Sequence, residues 1–108
     1  MANKEIERKI AVIFATDVVG YSKHMEKDEN ATLKSLRECT VILEKLFKTY
    51  GGRIFNKGGD SVLAEFPSAV EAVECASRFQ EELKQRNVSE NIGVKLEYRI
   101  GINTGDVV

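Results

Sequence analysis

The chemistry open to this sequence rests on two aspartates. Asp17 ends the unbroken apolar run 10–15 and its threonine, and is followed by Val18-Val19-Gly20-Tyr21-Ser22. Asp60 closes the segment Asn56-Lys57-Gly58-Gly59-Asp60, just before Ser61. A carboxylate at the end of a buried strand projects at the sheet edge. A tight turn behind it presents backbone N–H groups that cradle phosphate oxygens, above all where the turn leads into a helix. Taken singly, each aspartate also has a plain structural reading, Asp17 as the cap of a short helix over 21–25 and Asp60 as a turn residue in a hairpin. Together they say more. If the first and third strands lie side by side, the two carboxylates converge, and at ~4 Å they repel by about 4 kcal/mol at an effective dielectric of 20. Such a pair needs a counter-cation. Oxygen-only ligands beside an anion-friendly loop favour magnesium or manganese over zinc, so the pair predicts a metal–phosphate site.

The elements that must position these residues follow from the hydrophobic pattern. The run 10–15 is long and branched enough for a central strand covered on both faces. From 28 to 50, Leu33, Leu36, Ile42, Leu43, Leu46, Phe47 and Tyr50 recur at helical spacing, with Asp28 or Asn30 as cap and Gly51-Gly52 as stop. Short strands are expected over 53–55 and 61–66, joined as a hairpin through 57–60. Ser68 and Glu71 are spaced as a capping box, opening a second helix with Val70, Val73, Ala76, Phe79 and Leu83 as its buried stripe. After a polar loop over 87–93, Val94, Leu96, Tyr98, Ile100 and Ile102 alternate with Lys95, Glu97 and Arg99, a half-buried strand. The predicted order is βαββαβ. This is an α+β, ferredoxin-like domain occupying 1–108, an antiparallel sheet with its helices on one face.

Composition narrows the function classes. The chain has 108 residues, 43% apolar and 31% charged, enough for one compact core. A net charge of -1 offers no electrostatic footprint for nucleic acid or an anionic membrane. No apolar run is long enough to cross a bilayer, and the polar start 1–9 is no secretory signal, so a cytoplasmic domain is expected. The two cysteines, Cys39 and Cys75, lack metal-ligand spacing and read as buried free thiols.

At the level of motifs the sequence resembles the class III adenylate and guanylate cyclase catalytic domain, bacterial type, N-terminal portion. FATDVVGYS (14–22) looks like the first metal motif, and GRIFNKGGDSVLAEFPS (52–68) the second metal hairpin with its following strand. AVEAVECA (69–76) and RIGINTGDVV (99–108) match the later helix and strand. The resemblance implies two divalent ions, Mg2+ or Mn2+, held by Asp17, Asp60 and the carbonyl of Val18. It also implies triphosphate contacts from the amides of Val19, Gly20, Tyr21 and Ser22. The implied reaction is attack of a ribose 3′-hydroxyl on the α-phosphorus of ATP or GTP, giving a cyclic nucleotide and pyrophosphate. Adenylate cyclase is the expected activity, in a homodimer, with no direct membrane contact from this segment.

Two departures bear on that expectation. The position of the base-reading lysine, four before the second aspartate, is Asn56, and Lys57 one step on points to the other face of a strand. Asn56 both donates and accepts hydrogen bonds, which leaves ATP and GTP open. The family's transition-state asparagine and arginine, and the dimer arm, fall after Val108. No catalytic residue beyond the metal ligands is therefore expected within 1–108, and the chain alone is predicted to be inactive. Three other readings compete: a non-catalytic nucleotide- or metal-binding regulatory module, motivated by Asn56; a diguanylate cyclase or polymerase-palm relative, disfavoured by Ser61 where a glutamate is wanted; and self-association through the strand edge at Val107-Val108.

Overall fold

A computed structural model describes residues 9–89 and 93–107. The elements are β1 (Lys9–Val18), α1 (Tyr21–Lys27), α2 (Glu29–Tyr50), β2 (Arg53–Gly58), β3 (Ser61–Phe66), α3 (Ala69–Asn87) and β4 (Tyr98–Val107). The strands form one antiparallel sheet in the order β2-β3-β1-β4, with α2 and α3 packed together on one face. This is the expected ferredoxin-like α+β arrangement, with α1 as an extra short helix that follows β1 and touches α2.

β1 is paired on both sides, and its side chains alternate. Val12, Phe14, Thr16 and Val18 are buried towards the helices, which puts Ile13, Ala15 and Asp17 on the opposite face. Under the helices, Phe14, Phe47 and Phe66 form a three-ring cluster with centroids 5.2–5.6 Å apart. Gly52 lies against it: a Cβ there would fall 2.6 Å from Phe66 Cζ and 3.0 Å from Phe47 Cδ1. Only a glycine lets the backbone enter β2 at that distance.

The caps explain where the helices begin and end. Asp28 Oδ1 accepts from Ala31 N–H at 3.0 Å, capping α2 and separating it from α1. Gly51 ends α2 in the left-handed region (φ 86°), its N–H returning to Phe47 O at 2.8 Å. At α3, Ser68 Oγ accepts from Glu71 N–H at 3.3 Å. Only that half of the capping box forms, because Glu71 Oε2 is buried without a partner among the described residues.

Three details differ from the sequence-based expectation. The buried stripe of α3 is Ala72, Cys75, Phe79 and Leu83, while Val70 and Val73 are 67% and 51% exposed. Ala72, Cys75, Phe79 and Leu83 follow one another at spacings of three and four, a single helical face, and Val70 and Val73 fall off it. β2 runs on to Gly58 because a bulge between Ile54 and Asn56 absorbs Phe55 and resumes pairing. Finally, the β4 ladder starts at Tyr98, although burial alternates from Val94 onward. The backbone before it is held by side chains instead. Val94 N–H donates to Ser35 Oγ (3.0 Å), Arg86 Nη1 donates to Val94 O (3.2 Å), and Asn87 Nδ2 donates to Leu96 O (2.9 Å).

Candidate functional site

Asp17 is the penultimate residue of β1 and lies directly opposite Arg99 of β4. The register makes them cross-strand neighbours on the helix-free face, and the two side chains form a two-pronged ion pair. Arg99 Nε donates to Oδ1 at 2.9 Å and Nη2 to Oδ2 at 3.1 Å. The arginine side chain is 70% exposed and the aspartate 41%, so the pair sits at the mouth of the sheet and not in the core.

Asp60 arrives from the other side. Gly58 pairs with Ser61, so Gly59 and Asp60 are the two residues of the hairpin loop, with Gly59 in the left-handed region (φ 56°). From there Asp60 Oδ2 accepts from the N–H of Val18 at 2.8 Å. That carboxylate is therefore docked on the residue next to Asp17. Asp60 also reaches Arg99 electrostatically: the guanidinium holds its proton more firmly than usual, first through Asp17 and further through Asp60. The two aspartates and one arginine thus form a single charge cluster at the end of β1.

The carbonyl of Val18 belongs to the same cluster. Val19 N–H donates to Glu97 O at 2.8 Å, towards β4. In a trans peptide the preceding carbonyl points the opposite way, so Val18 C=O faces the side on which Asp60 lies. This also revises one expectation. Of the four predicted phosphate-binding amides, that of Val19 is engaged by Glu97, which leaves those of Gly20, Tyr21 and Ser22. Gly20 (φ 66°) turns the chain into α1, whose first backbone bond runs from His24 N–H to Gly20 O. The ring of Tyr21 is half-buried against the core.

Asn56 pairs with Leu63, which pairs with Ala15, two residues before Asp17. It therefore shares the helix-free face with Asp17. Lys57 is on the helix side, where Nζ meets Glu44 Oε2 of α2 at 2.9 Å. The one-residue offset places the two side chains as the strand alternation requires. Arg99 was not among the predicted site residues; it entered only as a polar position of an alternating strand and as the first residue of the RIGINTGDVV match. The signal was its place opposite Asp17, visible only once the register of β1 and β4 is known.

The end of β1 therefore carries two carboxylates and a carbonyl directed to their side, with the guanidinium of Arg99 as counter-charge to Asp17. Among the described residues no group of three or more His, Cys, Asp or Glu side chains is placed to hold a metal.

Comparison with known proteins decides the family. The chain is 42% identical over its whole length to "Putative adenylate cyclase 3" of Rhizobium meliloti (strain 1021). It superposes on an adenylate/guanylate cyclase/hydrolase from Silicibacter pomeroyi with a TM-score of 0.80 and 35% identity over 93% of its length. The chain belongs to the class III nucleotide cyclase family. A bacterial light-regulated adenylyl cyclase gives a TM-score of 0.85 at 26% identity over 95% of the chain. No family model matches. This cyclase segment spans 19% of the Rhizobium relative and 57–59% of the two solved structures.

Proposed function

We propose that this segment is the metal- and triphosphate-holding part of a nucleotide cyclase that converts ATP to cyclic AMP and pyrophosphate. The observation that carries this reading is the docking of the Asp60 carboxylate on the amide of Val18. It draws the second acidic group to the residue beside Asp17, where the resemblance requires one.

In this reading Asp17, Asp60 and the Val18 carbonyl would hold Mg2+ or Mn2+. Bound there, such ions supply charge neutralisation at the leaving pyrophosphate and a lowered pKa for the attacking 3′-hydroxyl. The residues themselves have simpler tasks. Asp60 fixes the end of β1 against the hairpin, so that its acidic groups are ordered before substrate arrives. Gly20 turns the chain so that the amides of Tyr21 and Ser22 open α1 unbonded by its helical ladder, facing outward as phosphate donors. Asn56, on the face shared with Asp17, offers a donor and an acceptor to a purine edge. Transition-state groups are expected from outside this segment, and from the second protomer of a homodimer.

The test is product analysis with ATP and with GTP, using a protein that carries this segment together with the rest of a cyclase domain. Cyclic AMP formation that vanishes with Asp17→Ala or Asp60→Ala supports the reading. Turnover by the isolated 108-residue chain, or activity that survives both substitutions, contradicts it.

A further inference from the structure

The Arg99–Asp17 pair has a consequence for metal binding, resting on the proposal that Asp17 holds a divalent ion. Both oxygens of Asp17 are engaged, one by Nε and one by Nη2 of the same guanidinium. A divalent ion placed on that carboxylate would sit beside a full positive charge, and one that Asp60 also stabilises. Arg99 is free to give way: its side chain is 70% exposed, and its hydrogen bonds among the described residues go to Asp17 alone. We propose that Arg99 is a positioning residue that acts as an intramolecular counter-cation, keeping Asp17 ordered while metal is absent and competing with the divalent ion for it.

Such a device sets a threshold. Without metal, the arginine offsets the repulsion between the two carboxylates and preserves their placement. With metal, the ion pair must open, so part of the ion's binding free energy is spent on displacing the guanidinium. Exposed ion pairs are worth little, and the expected effect is correspondingly modest.

The experiment is calorimetric titration of Mn2+ into the 108-residue chain, wild type against Arg99→Gln, Arg99→Lys and Asp17→Asn, without nucleotide. Arg99→Gln is expected to bind Mn2+ about two- to fivefold more tightly than wild type. Arg99→Lys should gain less, since an ammonium keeps the charge and loses the fork. A purely structural arginine would lower the melting temperature of these variants without tightening Mn2+. Equal or weaker binding by Arg99→Gln overturns the inference while leaving the metal site standing. If Arg99→Gln fails to melt cooperatively, Arg99→Lys decides by the same criterion. Mn2+ binding that is the same in wild type and Asp17→Asn refutes the metal site, and this inference with it.

Discussion

Replacing Gly52 by alanine should damage the fold out of proportion to one methyl group. The new Cβ would lie 2.6 and 2.9 Å from two ring carbons of Phe66 and 3.0 Å from Phe47 Cδ1. Neither ring can swing into solvent: Phe66 and Phe47 are each 2% exposed, and both pack on Phe14, which is fully buried. The strain must pass into the three-ring cluster or move the start of β2 outward. Overpacking of this kind costs about 1–3 kcal/mol. In a domain of this size, 1 kcal/mol shifts the melting temperature by roughly 4–8 °C, so a fall on the order of 4–24 °C is expected by circular dichroism. Because β2 leads straight into the Asp60 loop, Mn2+ binding should weaken in the same variant. A melting temperature within a degree or two of wild type would refute the close approach.

Further outcomes follow from the site and its supports. Asp60→Ala removes the acceptor of Val18 N–H and should cost ~1–2 kcal/mol, whereas Asp60→Asn keeps an acceptor oxygen and should cost less; equal losses in thermal melts would mean the hydrogen bond does not order the loop. Arg86, only 10% exposed in its side chain, ties Glu38 and Val94 together, so Arg86→Met should lower the melting temperature and loosen the approach to β4 in hydrogen exchange. The hydrogen bond from Arg86 also holds the Glu38 carboxyl below its ordinary pKa. A depressed carboxylate stabilises the fold above the ordinary carboxylate range and loses that contribution as pH falls through it. Wild type should therefore lose more stability than Arg86→Met between pH 7 and about pH 3. Burial pushes the Cys75 thiol up to about 11 and raises Cys39 as well; a disulfide reagent at pH 8 should label both only as fast as the chain unfolds, and rapid labelling in the native state would contradict their burial.

Most of the fold was legible because local signals agreed. The apolar run before Asp17, the Asp28 cap, the Gly51 stop and the Ser68 cap all mark elements where the structure has them. The misplaced stripe of α3 shows the limit of that agreement. Val70 and Val73 lie off the face of Phe79, about 180° and 120° around the helix from it, whereas Ala72 and Cys75 precede it at helical spacing and are the residues buried. The bulge at Phe55, by contrast, depends on pairing with β3 and leaves no local signal.

The site was partly legible. Asp17, Asp60 and Asn56 were singled out, and the opposed faces of Asn56 and Lys57 followed from alternation alone. Two things needed the register between strands that lie far apart in sequence. Arg99 could be matched to Asp17 only across 82 positions, and the engagement of Val19 N–H by Glu97 O is a contact of the same kind.

Everything turns on whether the acidic groups at the end of β1 and in the hairpin loop bind divalent ions jointly. Electron paramagnetic resonance of Mn2+ added to the 108-residue chain reads this directly, comparing wild type, Asp17→Asn, Asp60→Asn and the double variant. Either single substitution should remove most of the bound-ion signal that wild type shows. Retention of the wild-type signal by either one, with the fold intact, would contradict joint binding.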